Sequence, residues 1–236
     1  MNLLEMAVSF VFPRRCPVCD EIIQIGSYIC DDCRKKVTYI AEPVCKKCGK
    51  PLENRQKEYC TDCTTKKHFF KQGKAVFVYQ KGMKQSMYRF KYSNKREYAD
   101  FYAKEAAKHY CDWIRRHEID VIIPIPMYAW KKRVRGYNQA EVFARKLGKE
   151  LQLPIDTRLV KRIRNTIPQK ELNDKQRKDN LKGAFQLSEN IVKYSKVLLV
   201  DDIYTTGSTM DAITKLLLKH GATEIYFICI CIGEGY

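Results

Sequence analysis

The chain has 236 residues, 45% of them hydrophobic, which suits one medium domain with a real core plus a small appendage. Its 44 Lys and Arg against 27 Asp and Glu give a formal net charge of +17, and the absence of any run of 18 apolar residues excludes a membrane-spanning helix. The excess is uneven: residues 1–70 hold 12 cations against 9 acids, residues 71–236 hold 32 against 18. That surplus exceeds the magnitude of about 2–8 that suffices for solubility, and its sign draws phosphates or nucleic acid.

Met1–Phe12 is mildly apolar, carries Glu5 and lacks both a basic leader and a small-residue cleavage site, so it reads as a short docking helix and not a secretory signal. Eight of the eleven cysteines follow in four C-x2-C pairs: Cys16/Cys19, Cys30/Cys33, Cys45/Cys48 and Cys60/Cys63. Two thiolates on one tight turn chelate a zinc ion, and two such turns complete a tetrahedral four-cysteine site. The competing disulfide framework has no export signal behind it. Pairing is either sequential, with Cys16, Cys19, Cys30 and Cys33 on one ion and Cys45, Cys48, Cys60 and Cys63 on the other, or crossed, first pair with third. Residues 13–65 otherwise lack the apolar content for a core, so metal supplies most of their folding energy, and fully cysteine-ligated ions are structural. Cys111, Cys229 and Cys231 read as core residues.

His68–Lys74 is polar, basic and aromatic, and reads as the linker between a zinc-binding module (residues 1–70) and an α/β domain (residues 71–236). Ala75–Tyr79 is a short strand, Gly82–Tyr92 has helical spacing, and Arg96–His117 is a long amphipathic helix that buries Tyr98, Phe101, Ala106, Tyr110 and Trp113. Val121–Ile125 is a continuous apolar strand of the parallel type. Then come a basic loop with Lys131, Lys132, Arg133 and Arg135, a helix over Gln139–Leu151, a short strand over Val160–Arg162, and a charged loop over Lys170–Asn180. Val197–Val200, Ser208–His220 and Ile225–Cys231 complete the set as strand, helix and strand. This alternation predicts an α/β fold with a parallel sheet.

Val197–Thr209 is a buried strand, two acids (Asp201, Asp202), a hydroxyl-rich turn around Gly207 and a helix start. Open α/β sheets bind ligands at the carboxyl ends of their strands. There two carboxylates can accept hydrogen bonds from a vicinal diol such as ribose, and Thr205, Thr206, Gly207, Ser208 and Thr209 offer backbone N–H groups and hydroxyls to a phosphate at a helix N-terminus. The segment resembles the 5-phosphoribosyl-1-pyrophosphate (PRPP) motif of type I phosphoribosyltransferases. That resemblance implies Asp201 and Asp202 as the catalytic and ribose-binding acids, Lys131, Lys132, Arg133 and Arg135 on the pyrophosphate, Mg2+ entering with PRPP, and a flexible closing loop with Arg164, Gln169 and Arg177.

Together the four C-x2-C pairs, Arg135-Gly136-Tyr137-Asn138-Gln139, the Arg164, Thr166, Gln169, Leu172, Arg177, Asn180, Ala184-Phe185 pattern and Val197–Thr209 resemble the ComF family over nearly the whole chain. The resemblance implies a type I phosphoribosyltransferase-like domain behind an N-terminal double zinc ribbon. It also implies a cytoplasmic bacterial protein of natural transformation, acting on or near incoming single-stranded DNA, with recruitment to the inner membrane face and a helicase-like partner. Three readings stand. The first is a PRPP-binding, single-stranded-DNA-binding uptake protein, for which Phe69, Phe70, Tyr88, Phe90, Tyr92 and Tyr137 are candidate stacking aromatics. The second is an active Mg-dependent phosphoribosyltransferase whose acceptor site is not identifiable, and the third a zinc-ribbon adaptor in the uptake machinery. The four histidines show no ligand spacing and receive no role.

Overall fold

The computed structural model describes residues 13–165, 183–189 and 192–233. The expected helix over Met1–Phe12, the loop over Lys170–Asn180, and Thr166, Gln169, Leu172, Arg177 and Asn180 lie outside the described residues. In chain order the elements are α1 (Asp31–Arg34), α2 (Thr61–Thr65), β1 (Gln72–Val78), α3 (Lys81–Tyr92), α4 (Tyr98–Arg116), β2 (Val121–Pro124), α5 (Ala129–Arg135), α6 (Gln139–Leu151), β3 (Val160–Arg162), β4 (Phe185–Leu187), β5 (Lys196–Tyr204), α7 (Ser208–Lys219) and β6 (Glu224–Ile232).

Four of the strands form one all-parallel sheet in the order β1-β6-β5-β2. Strand side chains alternate between the two faces, and β5 shows the consequence. Leu198 and Val200 enter one core with Met83 and Phe90 of α3, Phe101 and Tyr102 of α4 and Phe143 of α6. Val197 and Leu199 enter the other with Phe70 and with Met210, Ile213 and Leu217 of α7. Both faces are covered, which is why these strands read as unbroken apolar runs. Gly73 is forced by packing: a Cβ there would lie 2.0 Å from the Phe227 ring.

The cysteine-rich segment is built into this sheet. Val78 N–H donates to Thr38 O at 2.9 Å, Ile40 N–H to Val76 O at 2.9 Å and Gly73 N–H to Lys47 O at 2.8 Å, so residues 38–47 cover the open edge of β1. Cys16, Val18, Ile23, Ile29, Cys33 and Val37 belong to the first core, and Cys45, Cys48 and Cys60 to the second.

Several expectations need correction. His68–Lys74 is no linker: Phe70 is fully buried, Lys71 N–H donates to Ile225 O at 2.6 Å, and β1 begins at Gln72. Cys111 is not a core residue; it is half-buried on α4 with its thiol toward Asp112, whereas Cys229 and Cys231 are buried as expected. The basic loop around Lys131–Arg135 is helix α5, ended by Gly136 in the left-handed region at φ +84°. Val160–Arg162 is a strand as expected, but it pairs antiparallel with Phe185–Leu187 outside the main sheet. Among the described residues no helix is long and apolar enough to cross a membrane.

Candidate functional site

β5 carries Asp201 and Asp202 to the carboxyl end of the sheet, where Asp202 N–H donates to Asp201 Oδ1 at 2.8 Å. Lys91, in the last turn of α3, places its Nζ 3.0 Å from Asp202 Oδ2. Burial, and then the neighbouring Asp202 carboxylate, push the Asp201 carboxyl up to about 7, while Lys91 and Arg162 act in the opposite sense. Desolvation disfavours the Lys91 ammonium, yet the two acids leave its pKa raised.

After Tyr204 the chain turns through an exposed Thr205 and reaches α7 at Ser208. Thr206 Oγ1 lies 3.1 Å from Ser208 Oγ. Gly207 stands just before α7 at φ +79°, and a Cβ on it would meet Tyr204 Oη at 2.6 Å and His68 Cε1 at 2.9 Å. Asp201, Thr205, Gly207, Ser208 and Thr209 line a cup of about 40 Å³. At about 10–15 Å³ per water centre this holds roughly three water positions, the scale of one phosphate's oxygens.

The turn rests on residues that sequence reasoning passed over. His68 is buried, stacks on Phe70 at 5.0 Å between centroids and has Nδ1 2.8 Å from Asp211 Oδ2 of α7; Phe69 N–H donates to Asp211 Oδ1 at 2.9 Å. Tyr204 stacks on Phe227 at 4.7 Å. Burial, above all, holds the Tyr204 hydroxyl far above its ordinary pKa. His68 and Asp211 are 143 residues apart, and no sequence signal joins them; Lys91 likewise sits in a helix whose pattern reports only its buried side.

The expected pyrophosphate cations lie on α5. Lys132 Nζ is 2.8 Å from Glu141 Oε2, Arg135 donates to Gln139 Oε1 at 2.7 Å and lies over the Tyr92 ring at 4.8 Å, and Arg133 is exposed. Lys131 and Lys91 line one cleft, so α5 and the acid pair meet through Lys91. Tyr137, Asn138 and Gln139 are buried: Tyr137 Oη donates to Phe90 O, Asn138 Nδ2 to Ile125 O at 2.9 Å, and Asn138 Oδ1 accepts from Ala140 N–H at 3.2 Å as the cap of α6. Arg164 is exposed beside Gly183. Of the candidate stacking aromatics, Phe70, Phe90 and Tyr137 are buried core, whereas Phe69, Tyr88 and Tyr92 are exposed.

The cysteines gather sequentially, Cys16, Cys19, Cys30 and Cys33 in one cluster and Cys45, Cys48, Cys60 and Cys63 in the other, with every sulfur of a cluster within 4.8 Å of the rest. The crossed pairing is excluded. Cys19–Cys30 and Cys48–Cys60 sulfur separations of 3.9 and 3.6 Å match the edge of about 3.8 Å of a tetrahedron with 2.3 Å Zn–S bonds. They are far longer than a disulfide bond. The donor set and geometry therefore fit a four-coordinate thiophilic ion.

Residues 7–64 match the double zinc ribbon domain and residues 98–235 the phosphoribosyl transferase domain. The parallel sheet with an acid pair and the Thr205–Thr209 cup at its carboxyl edge, together with two four-cysteine clusters, thus defines a phosphoribosyltransferase-type domain fused to a double zinc ribbon. The chain is 33% identical to competence protein F of Haemophilus influenzae over 91% of its own length and 95% of that protein's. It is 29% identical to DNA utilization protein YhgH of Escherichia coli K12 (93% and 97%) and 26% identical to competence protein ComFC of Bacillus subtilis (82% and 79%). It belongs to the competence protein F family. Among solved structures, a purine phosphoribosyltransferase from Pyrococcus horikoshii aligns with 56% of this chain and 74% of that one, at 17% identity and a TM-score of 0.36.

Proposed function

We propose that this chain is a DNA-uptake protein that binds Mg–PRPP or a related ribose phosphate at the Asp201–Thr209 site and holds single-stranded DNA on its basic surface. The observation that carries the reading is Asp201, beside Asp202 at the end of β5, lining a cup with Thr205, Gly207, Ser208 and Thr209. Asp201 and Asp202 accept from the ribose hydroxyls, the Thr205–Thr209 turn receives the 5′-phosphate at the start of α7, and Lys131, Lys132, Arg133 and Arg135 face the pyrophosphate. Mg2+ is held chiefly by substrate oxygens and water, and two zinc ions occupy the cysteine clusters. The names of the relatives support a role for this chemistry in competence and DNA utilization; a cytoplasmic location at the uptake machinery, with a helicase-like partner, belongs to the same reading. Calorimetric titration of Mg–PRPP into the zinc-loaded protein and into an Asp201→Asn/Asp202→Asn variant tests it: micromolar binding lost in the variant is expected, and no binding by folded wild type overturns it.

A second reading, turnover as a phosphoribosyltransferase, is favoured by one observation. A carboxyl titrating at about 7 beside the ribose position can give or take a proton at neutral pH. It requires pyrophosphate release that depends on an acceptor and is abolished by Asp201→Asn as well as by Asp202→Asn.

A further inference from the structure

The cleft between α3 and α5 has a volume of about 280 Å³ and is lined by Lys91, Tyr92, Trp130, Lys131, Val134 and Arg135. It falls just below the range of about 300–1,000 Å³ for drug-sized ligand pockets, a size for one planar ring system. No residue of α5 is buried: Trp130 is 59% and Val134 68% exposed, and Tyr92 across the cleft is 62% exposed. A tryptophan and a valine turned outward on a seven-residue helix have no part in the core. The charge around them is predominantly positive, with Lys91 paired to Asp202 and Lys132 to Glu141. α3 carries Lys81, Lys84, Arg89 and Lys91, α5 carries Lys131, Lys132, Arg133 and Arg135, and neither helix contains an acid. Arg135 lies over the Tyr92 ring, and Tyr88 extends the platform with its ring 5.1 Å from that of Tyr92.

We infer that this cleft is a stacking subsite for an unpaired nucleobase of single-stranded DNA, with the strand's phosphates on the flanking cations; this rests on the DNA-binding reading above. Aromatic faces set among cations are the arrangement that holds single strands without sequence preference. An apolar protein helix would instead meet a rim of like charges that it cannot pair. Of the six aromatics that the sequence nominates for stacking, Tyr88 and Tyr92 lie at this cleft while Phe70, Phe90 and Tyr137 are buried, and Trp130 was overlooked.

The test titrates a fluorescently labelled oligothymidylate of about ten nucleotides, within the usual site size, and an abasic oligomer of equal length into the full zinc-loaded chain. Binding is read by anisotropy and by tryptophan fluorescence. Trp130 is one of two tryptophans, and the other, Trp113, donates to Gln72 Oε1 at 2.7 Å, so quenching lost in Trp130→Phe reports the cleft. The expected result is quenching by the base-bearing oligomer only, and about tenfold weaker binding of the abasic one, a change in the range that stacking one base supplies. Trp130→Ala should weaken oligothymidylate binding about tenfold without changing its salt slope, while Trp130→Phe keeps most of the affinity. Arg133→Gln should lower the slope by about 0.7, the value for one phosphate on a single strand. Equal binding of both oligomers overturns the stacking subsite and leaves DNA binding intact; binding of neither overturns the DNA reading as well. Equal quenching by a hexaglutamate peptide would assign the cleft to an acidic protein partner and overturn the proposal. Mg–PRPP binding, which draws on the same α5 cations, is read in its own titration without DNA, so that loss of stacking and loss of ribose-phosphate binding are distinguished.

Discussion

Asp201 titrates where its ordinary counterpart would already be fully ionised. Its folded carboxyl lies at about 7 against about 3.9 when unfolded, so the folded chain holds an extra proton between about pH 4 and 7. This group's contribution to stability is fully present below about pH 4 and is lost as pH rises through about 7. Ligand binding runs the other way, because only the ionised carboxyl accepts from two hydroxyls. Mg–PRPP affinity should rise about tenfold from about pH 6 to about pH 8, as ionisation about a pKa near 7 requires. Asp201→Asn should keep the step near about 6 that belongs to the ligand's own phosphate and lose the one near 7; calorimetry across pH with superimposable profiles would contradict this. Gly207 makes a steric prediction. Gly207→Ala combines a left-handed backbone with a Cβ 2.6 Å from Tyr204 Oη, a strain of about 1–3 kcal/mol before the clash is counted. Thermal melting should show a lowered Tm, and the variant should no longer bind Mg–PRPP.

At the scale of elements, the site is β5, its turn and α7, fixed by what the first turn of α7 grips. Asp211 accepts from Phe69 N–H and meets His68 Nδ1, so it ties the chain entering β1 to the Thr205–Thr209 turn. Asp211→Ala leaves these groups unpaired at a cost of about 1–3 kcal/mol. Urea unfolding should show a correspondingly lower midpoint with an unchanged slope; an unmoved midpoint would mean that the tie carries no stability. The legible elements were those whose patterns repeat a buried face: Val121–Pro124, Glu224–Ile232, α6 to the residue, and the C-x2-C turns whose spacing is itself the chemistry. α5 was illegible because it has no buried residue, and hydrophobic periodicity reports only helices that pack. Cys111 was misread because α4 exposes that stripe, and His68 and Lys91 were missed because their partners lie on other elements. The acids and the turn were legible from β5 and α7 alone; what supports them came from elsewhere in the chain.

At the scale of the molecule, the two ribbons differ in what they hold. The first cluster packs with α3 and α4, the second with Phe70, Tyr204 and Met210 beneath the Thr205–Thr209 turn. A structural zinc ion contributes roughly 10–16 kcal/mol to small finger peptides, as much as the whole net stability of about 5–15 kcal/mol of a typical domain. With both cores drawing residues from the ribbons and residues 38–47 covering β1, chelation should lower the Tm of the entire chain in one calorimetric transition. Deletion of residues 1–70 should leave an unfolded remainder, contrary to what an appended adaptor requires. A chelated chain that keeps a second transition at the original Tm would show the ribbons to be detachable. The finer prediction separates the clusters. Cys16→Ser should destabilise the chain while Mg–PRPP affinity persists in the folded fraction. Cys48→Ser, beside Tyr204, should disturb the turn and weaken Mg–PRPP binding even at temperatures where the chain remains folded by far-ultraviolet circular dichroism. Equal Mg–PRPP affinity in the two folded variants would mean that the second ribbon supports the sheet alone; a selective loss in Cys48→Ser would make that zinc site part of the phosphate-binding apparatus.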